Sequence, residues 1–320
     1  MKISFSLFLR LLLPSLPPEG YNGPMKMLEI KIEEGMAGRT VRSVLLREGR
    51  MAASHLSSLK FREGGLLLNG QRARSSDVLR PGDMLAARID DGRGENPAQP
   101  MEAPLDFVWE DEYLAVLNKA AGMAVHGSLQ GGACTVANAL AARWGREQTF
   151  HPVNRLDRGT SGLMLIAKSA YLHDRLRLAL HSDSLRREYL ALVEGVMDPP
   201  CGHITLPIGS DGTPRRRVDR QGQSAHTEYA TLLTHGGLSL LRLTLHTGRT
   251  HQIRVHLSAL GHPLLGDALY GGLAAEPGRP ALHSFLLRFT HPITGEVIEC
   301  RAPLPEDLRI FPVVRAWEGQ

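Results

Sequence analysis

Apolar and charged positions alternate in Leu28-Glu29-Ile30-Lys31-Ile32, the period of a half-buried strand. Residues 38–50 carry Val41, Val44 and Leu45 on one helical face, and a second helical stretch is expected near 54–61. Leu66-Leu67-Leu68 runs into Asn69-Gly70, a hairpin signal, and Pro81-Gly82-Asp83 marks another turn before a strand over 84–89. Residues 91–103 break this pattern. They are rich in Gly, Pro and charge and read as a flexible linker. Beyond them, strands are expected at 107–109, 114–117, 189–193, 225–233 and 240–245, with a helix at 135–144. Leu163-Met164-Leu165-Ile166-Ala167 is a continuous apolar run, expected to be a strand buried on both faces. Ser169 should cap a helix carrying Leu172, Leu176 and Leu180. Regular strand–helix alternation is missing, so the pattern implies an α+β fold with a mixed or antiparallel sheet, preceded by a small α/β domain. The expected division is an extension over 1–26, a small domain over 27–90, the linker over 91–103, a main domain over 104–312 and a tail over 313–320.

The chain has 320 residues, 42% of them apolar, and a net charge of +4, which permits a polyanionic partner without requiring one. Its three cysteines, Cys134, Cys201 and Cys300, are dispersed, which argues against a disulfide framework or zinc site and fits a reducing, cytoplasmic setting. The first 16 residues imitate a signal peptide but are too short to span a bilayer and lack a small-residue cleavage site. They read as a disordered extension or a misplaced start, and no membrane segment is expected elsewhere.

Three segments carry candidate chemistry. In Arg155-Leu156-Asp157-Arg158-Gly159-Thr160-Ser161-Gly162, two arginines flank one aspartate in a loop feeding the buried strand. A guanidinium favours the charged form of a neighbouring carboxylate, which can serve as nucleophile or base. A structural ion pair with Arg155 or Arg158 explains the same pattern. In the second segment, Thr250 is a plausible N-cap and Gly261 with Pro263 a helix stop. Ile253, Leu257 and Leu260 then share the core face, while His251, Arg254 and Ser258 share another. His251 and His256 are five apart with no carboxylate nearby, so no metal is expected. In the third, Tyr189 opens a strand after the basic turn Arg186-Arg187; ordinary core packing accounts for it equally well.

Taken together, these segments resemble the motifs of RluA-type RNA pseudouridine synthases, in order over about residues 104–312. The aspartate motif, Arg187-Glu188-Tyr189-Leu190, Gly248-Arg249-Thr250-His251-Gln252-Ile253-Arg254 and the run 261–271 ending Gly266-Asp267-Ala268-Leu269-Tyr270-Gly271 carry the likeness, with Ala281-Leu282-His283 and Ala302-Pro303-Leu304-Pro305 behind them. Asn154 and Ala120 depart from the frequent His and Pro. Residues 28–90 resemble the S4-type RNA-binding domain, with Arg39, Arg42, Arg47, Arg50, Lys60 and Arg62 as phosphate contacts. Ala53-Ser54-His55 replaces the usual Ser-Arg pair.

The resemblance implies isomerisation of a flipped uridine in structured RNA, first of the large ribosomal subunit and second transfer RNA, by a monomer without cofactor or metal. It implies Asp157 as the catalytic carboxylate, Arg254 as its partner and Tyr189 against the base. Arg155, Arg158, Thr160, Ser161, Arg187, Arg249 and His251 would contact substrate. Arg215, Arg216 and Arg217, in a polar loop, would clamp phosphates, unless that loop only solubilises. Two rivals are a noncatalytic RNA-binding protein and a nucleoside or glycoside hydrolase; the latter usually needs two carboxylates.

Overall fold

A computed structural model describes residues 26–91, 96–127, 132–180, 184–210, 212–274 and 276–319. The expected N-terminal extension therefore lies outside the described residues, save Lys26.

The first unit holds β1 (Met27–Lys31), α1 (Val41–Arg47), α2 (Ala53–Leu59), β2 (Leu66–Leu68), β3 (Gln71–Arg72) and β4 (Met84–Arg88). Its sheet order is β1-β4-β2-β3. The β2–β3 turn places Asn69 at φ 52° and Gly70 at φ 79°, both left-handed, as a tight hairpin requires. Val41, Val44 and Leu45 are buried on the sheet as their spacing implied.

The second unit holds β5 (Asp106–Glu110), β6 (Leu114–Lys119), α3 (Val136–Trp144), β7 (His151–Pro152), β8 (Ser161–Ala167), α4 (Ala170–Ala179), β9 (Leu185–Glu194) and β10 (Cys201–Ile204). There follow β11 (Ile208–Ser210), β12 (Arg216–Val218), β13 (Thr227–His235), β14 (Leu238–Leu245), α5 (Gln252–Ala259), β15 (Leu282–Thr290), β16 (Val297–Arg301), α6 (Glu306–Arg309) and α7 (Pro312–Glu318). Ten strands form one mixed sheet, whose main path runs β10-β13-β14-β9-β15-β8-β6-β5.

Strand β8 is buried at all seven positions. Leu163, Leu165 and Ala167 pack with Tyr171, Leu172 and Leu176 of α4. Met164 and Ile166 join the core under α3 and α5, with Tyr189, Leu243, Ile253 and Leu257. Ser169 caps α4 by accepting from Leu172 N. Strand β8 meets β15 in parallel at two positions, His283↔Ser161 and Ser284↔Gly162. At that crossing a Cβ on Gly162 (φ +106°) would fall 2.2 Å from Ser284 O, so only glycine fits. The crossing fixes where the preceding Asp157 loop emerges.

Three expectations are corrected. The linker is pinned at its described ends. Asp91 accepts from Thr149, His151 and Ala170, and buried Asn96 bonds Arg146 O and Ala137 O. The supposed tail forms α7, whose Val313 and Val314 are buried with Leu190 and Leu240. Helix α5 begins after His251 rather than at a Thr250 cap. The Gln252 Oε1 instead ties down the preceding loop, accepting from Arg249 N (3.0 Å) and Thr247 Oγ1 (2.7 Å). Leu260, past the helix end, is 42% exposed and off the core face.

Candidate active site

The loop 153–160 is held largely by backbone contacts. Asn154 is buried; its side chain accepts from Leu165 N (2.7 Å) and donates to Leu163 O (3.2 Å), which ties the loop's start to β8. Gly122 N and the Lys119 ammonium donate to Arg158 O at 2.8 and 3.3 Å. Arg279 donates to Gly159 O (3.1 Å) and is itself gripped on two nitrogens by Asp307. Burial, reinforced by Arg279 and opposed by Asp157, pushes the Lys119 ammonium down to about 8.

Asp157 emerges from this loop with its side chain 27% exposed. Its partners come from the far side of the cleft. Arg254 Nη1 of α5 lies 3.3 Å from Oδ2, and His251 Nε2 lies 3.8 Å away. Arg254 cannot swing freely. Its Nε and Nη2 form a two-point pair with Asp267 at 2.7 and 2.8 Å, and Asp267 is 1% exposed. Burial opposes the Arg254 charge, but Asp267 and Asp157 outweigh it and raise its pKa. The order Asp267–Arg254–Asp157 thus aims one N–H at the exposed carboxylate. A structural ion pair with Arg155 or Arg158 is not what the fold builds.

Tyr189 stands on β9, 4% exposed, on the same face as Leu243 and opposite Ser284 across the strand pair. Burial pushes its phenol up, with Arg187 pulling the other way. The cleft around Asp157 is lined by Arg155, Leu156, Thr160, Tyr189, Leu245, Arg249, His251, Gln252, Ile253, Arg254 and Leu282. It is shallow and open, about 50 Å³; cavities of about 550 and 640 Å³ lie elsewhere. Convergent polar groups, not volume, single it out.

The residues singled out in the sequence divide into groups. Asp157, Tyr189, Arg254, Arg155, Thr160, Arg249 and His251 line one cleft. The buried Thr160 hydroxyl has no hydrogen-bond partner there. Arg187 lies on the Tyr189 face of β9, 3% exposed. Its Nη2 donates to Leu245 O, and its Nε has no partner. Arg158 points away and donates to Gly122 O. Ser161 also faces away, bonded to His283 Nδ1 at 3.0 Å. Neither lines the cleft around Asp157. Arg215, Arg216 and Arg217 line a separate hollow beside α5 with Tyr270. Among the described residues no metal-holding cluster of His, Cys, Asp or Glu occurs.

Sequence reasoning missed Asp267, Asn154, Arg279 and Tyr270 as contributors. A signal existed for Asp267, a lone carboxylate within the apolar run 264–269.

Comparison with known proteins accounts for this arrangement. Residues 113–259 match the family described as RNA pseudouridylate synthase. An uncharacterised RNA pseudouridine synthase of Bacillus subtilis is 39% identical over 258 residues, covering 79% of this chain and 91% of that protein. The ribosomal large subunit pseudouridine synthase D of Vibrio cholerae is 37% identical over 76% of this chain and 82% of its own. The solved structure of human RNA pseudouridylate synthase domain containing 1 aligns with TM-score 0.53 at 28% identity, over 68% of this chain and 90% of that one. The chain belongs to the RluA-type RNA pseudouridine synthases, enzymes that isomerise uridine in RNA.

Proposed function

We propose that Asp157 is the essential carboxylate of this enzyme, that Arg254 orients it and that Tyr189 packs against the everted uracil. The observation that carries the reading is the 3.3 Å contact from Arg254, itself locked by Asp267, to a carboxylate that stays open to solvent. Pseudouridine formation breaks the bond from N1 to the sugar and makes one from C5. One proton leaves C5 and one arrives at N1, so atoms balance without a cofactor. The base must detach and turn, which a stacked base cannot do, so the uridine is flipped into the cleft. The C5 proton is acidic because its loss restores the conjugated ring, and Tyr189, which lines the cleft, assists its removal in this reading.

Arg155 and Arg249 at the rim, and Arg215, Arg216 and Arg217 on the neighbouring hairpin, supply cations for phosphates. The N-terminal unit adds an S4-like RNA-binding surface. The substrate is ribosomal RNA of the large subunit first, as the name of the Vibrio relative suggests, and transfer RNA second. The enzyme acts as a cytoplasmic monomer; no helix among the described residues is long and apolar enough to cross a membrane. Asp157→Asn is expected to remove detectable pseudouridine while leaving RNA affinity largely intact. Pseudouridine mapping of total RNA from cells with and without the gene identifies the target. Full turnover by that variant rejects the carboxylate assignment, and release of free uracil from RNA would mean hydrolysis instead.

A further inference from the structure

Tyr270 has no part in the chemistry above, yet four elements of the site converge on it. It closes the 3-10 turn Ala268–Tyr270 directly after Asp267 and is 4% exposed. Its hydroxyl oxygen accepts from Arg216 N at 2.8 Å, at the start of β12, and lies 2.8 Å from His251 Nδ1. Its ring lies 4.9 Å from the Arg254 guanidinium and 5.5 Å from that of Arg215. Its carbonyl accepts from the Ser258 hydroxyl of α5 at 2.7 Å.

A phenol has one proton to give. With Arg216 N donating to the oxygen, that proton has His251 Nδ1 as its acceptor, and the imidazole then carries its own proton on Nε2. Nε2 is the atom 3.8 Å from Asp157 Oδ2. The backbone points the same way. His251 sits at φ 59°, ψ 19°, a left-handed conformation that a non-glycine residue keeps only when its surroundings hold it. The Tyr270 bond is one such constraint, and the His251 carbonyl accepts from Val255 N to open α5 as another.

We propose that Tyr270 is a positioning residue whose hydroxyl sets the His251 tautomer that presents Nε2–H to Asp157, and that it ties this geometry to the arginine-bearing β11–β12 hairpin. The proposal rests on the catalytic reading of Asp157 and gives His251 an orienting task in place of a direct substrate contact. RNA phosphates drawn to Arg215–Arg217 pull on the same hydroxyl through Arg216 N, so substrate capture is coupled to the imidazole that lies 3.8 Å from the carboxylate. Burial supports the protonation states required. It lowers the pKa of His251, favouring neutral imidazole, and raises that of Tyr270, keeping the phenol a donor.

The test combines spectroscopy with kinetics on the full chain. In histidine-labelled protein near neutral pH, nitrogen NMR should show His251 with a bare Nδ1 and a protonated Nε2; the opposite tautomer overturns the proposal. Tyr270→Phe keeps the ring and its cation contacts but should lose that single tautomer. On unmodified large-subunit ribosomal RNA transcribed in vitro, its single-turnover rate should fall roughly 10- to 100-fold, with RNA affinity and melting temperature near wild type. Combined with His251→Gln, it should slow the reaction no further than His251→Gln alone, to within about twofold; independent, multiplying losses reject the coupling. If Tyr270→Phe does not fold, the wild-type spectrum still decides the tautomer. Should the wild type modify no RNA, the catalytic reading falls, while the spectrum continues to judge Tyr270 separately.

Discussion

Asp157 and Asp267 are the same residue type in opposite situations. Asp157 is partly solvated and faces one nitrogen of Arg254, whereas Asp267 is sealed and holds two. A buried ion pair is a weak source of stability, but removing one partner strands the other charge. Asp267→Asn should therefore lower stability by about 3 kcal/mol and slow pseudouridine formation by roughly 10²-fold through misplacement of Arg254. Denaturant unfolding and single-turnover assays measure the two effects. A slow but fully stable variant would show that Asp267 does not carry Arg254's charge. At Tyr189 the question is what the phenol oxygen adds to the ring. Tyr189→Phe keeps the packing, so RNA binding should hold, while product formation falls by about 10²-fold or more if the hydroxyl assists removal of the C5 proton. A rate near wild type would leave Tyr189 a packing residue only. Asp157, Tyr189 and Arg254 were all legible as a set of motifs. Asp267 was visible as a lone carboxylate in an apolar run, but its pairing was not, because Arg254 lies thirteen residues away across a turn whose shape no local pattern announces.

Strand β8 shows an element whose sequence is sufficient. Seven residues without charge, Gly162 among them and a Ser169 cap beyond, leave one outcome, a strand buried on both faces. Helix α5 is different. Thr250 has the right chemistry for a cap, yet the chain turns left-handed at His251 and Gln252 bonds the loop instead. The loop is fixed by Tyr270 and Ser224, both distant in sequence, and this tertiary demand overrides the local preference. The β8–β15 crossing carries its own prediction. His283 bridges Ser161 and Ala302 O, and burial pushes its imidazole down to about 4. Its folded-state pKa lies below the unfolded value, so between pH 6.5 and 4 the unfolded chain takes up a proton that the folded chain refuses. Stability should fall across that window, by up to about 3 kcal/mol from this residue, and no further below it. Urea titrations from pH 7 to 4 should show His283→Gln losing less stability than wild type; parallel curves would mean His283 is not kept neutral.

Over the whole molecule, the two units share a packed boundary. The Tyr171 hydroxyl of α4 donates to Gly49 O (2.9 Å) beside the ring of His55, and Asp91 and Asn96 anchor the connecting segment. The N-terminal unit is therefore held at a set orientation to the cleft. Composition hinted at the linker's freedom because Gly, Pro and charge are common in flexible segments, but two buried amide and carboxylate contacts decide otherwise. The logarithm of the RNA-binding constant should fall linearly with the logarithm of salt concentration. Replacing Arg215 and Arg217 with alanine should reduce that slope by about 2, with little change in sequence preference. An unchanged slope in a filter-binding or fluorescence titration would remove the hairpin from the phosphate contacts.

What the amino-acid sequence determined by itself was the alternation that makes the sheet, the turn that needs Asn69-Gly70, and the order of the motifs that mark the enzyme family. These are local or patterned properties, set by side-chain volume, polarity and backbone freedom over a few residues. The family motifs named Arg254 as the partner of Asp157, but only the tertiary structure supplies the contact that brings it there. Arg155 and Arg158 are its neighbours in the chain, but the loop's backbone bonds to Lys119 and Arg279 turn Arg158 outward, and Asp267 delivers Arg254 from another element. A short-range ion pair depends on directions within a few ångströms, and those directions exist only once sheet and helix are packed together.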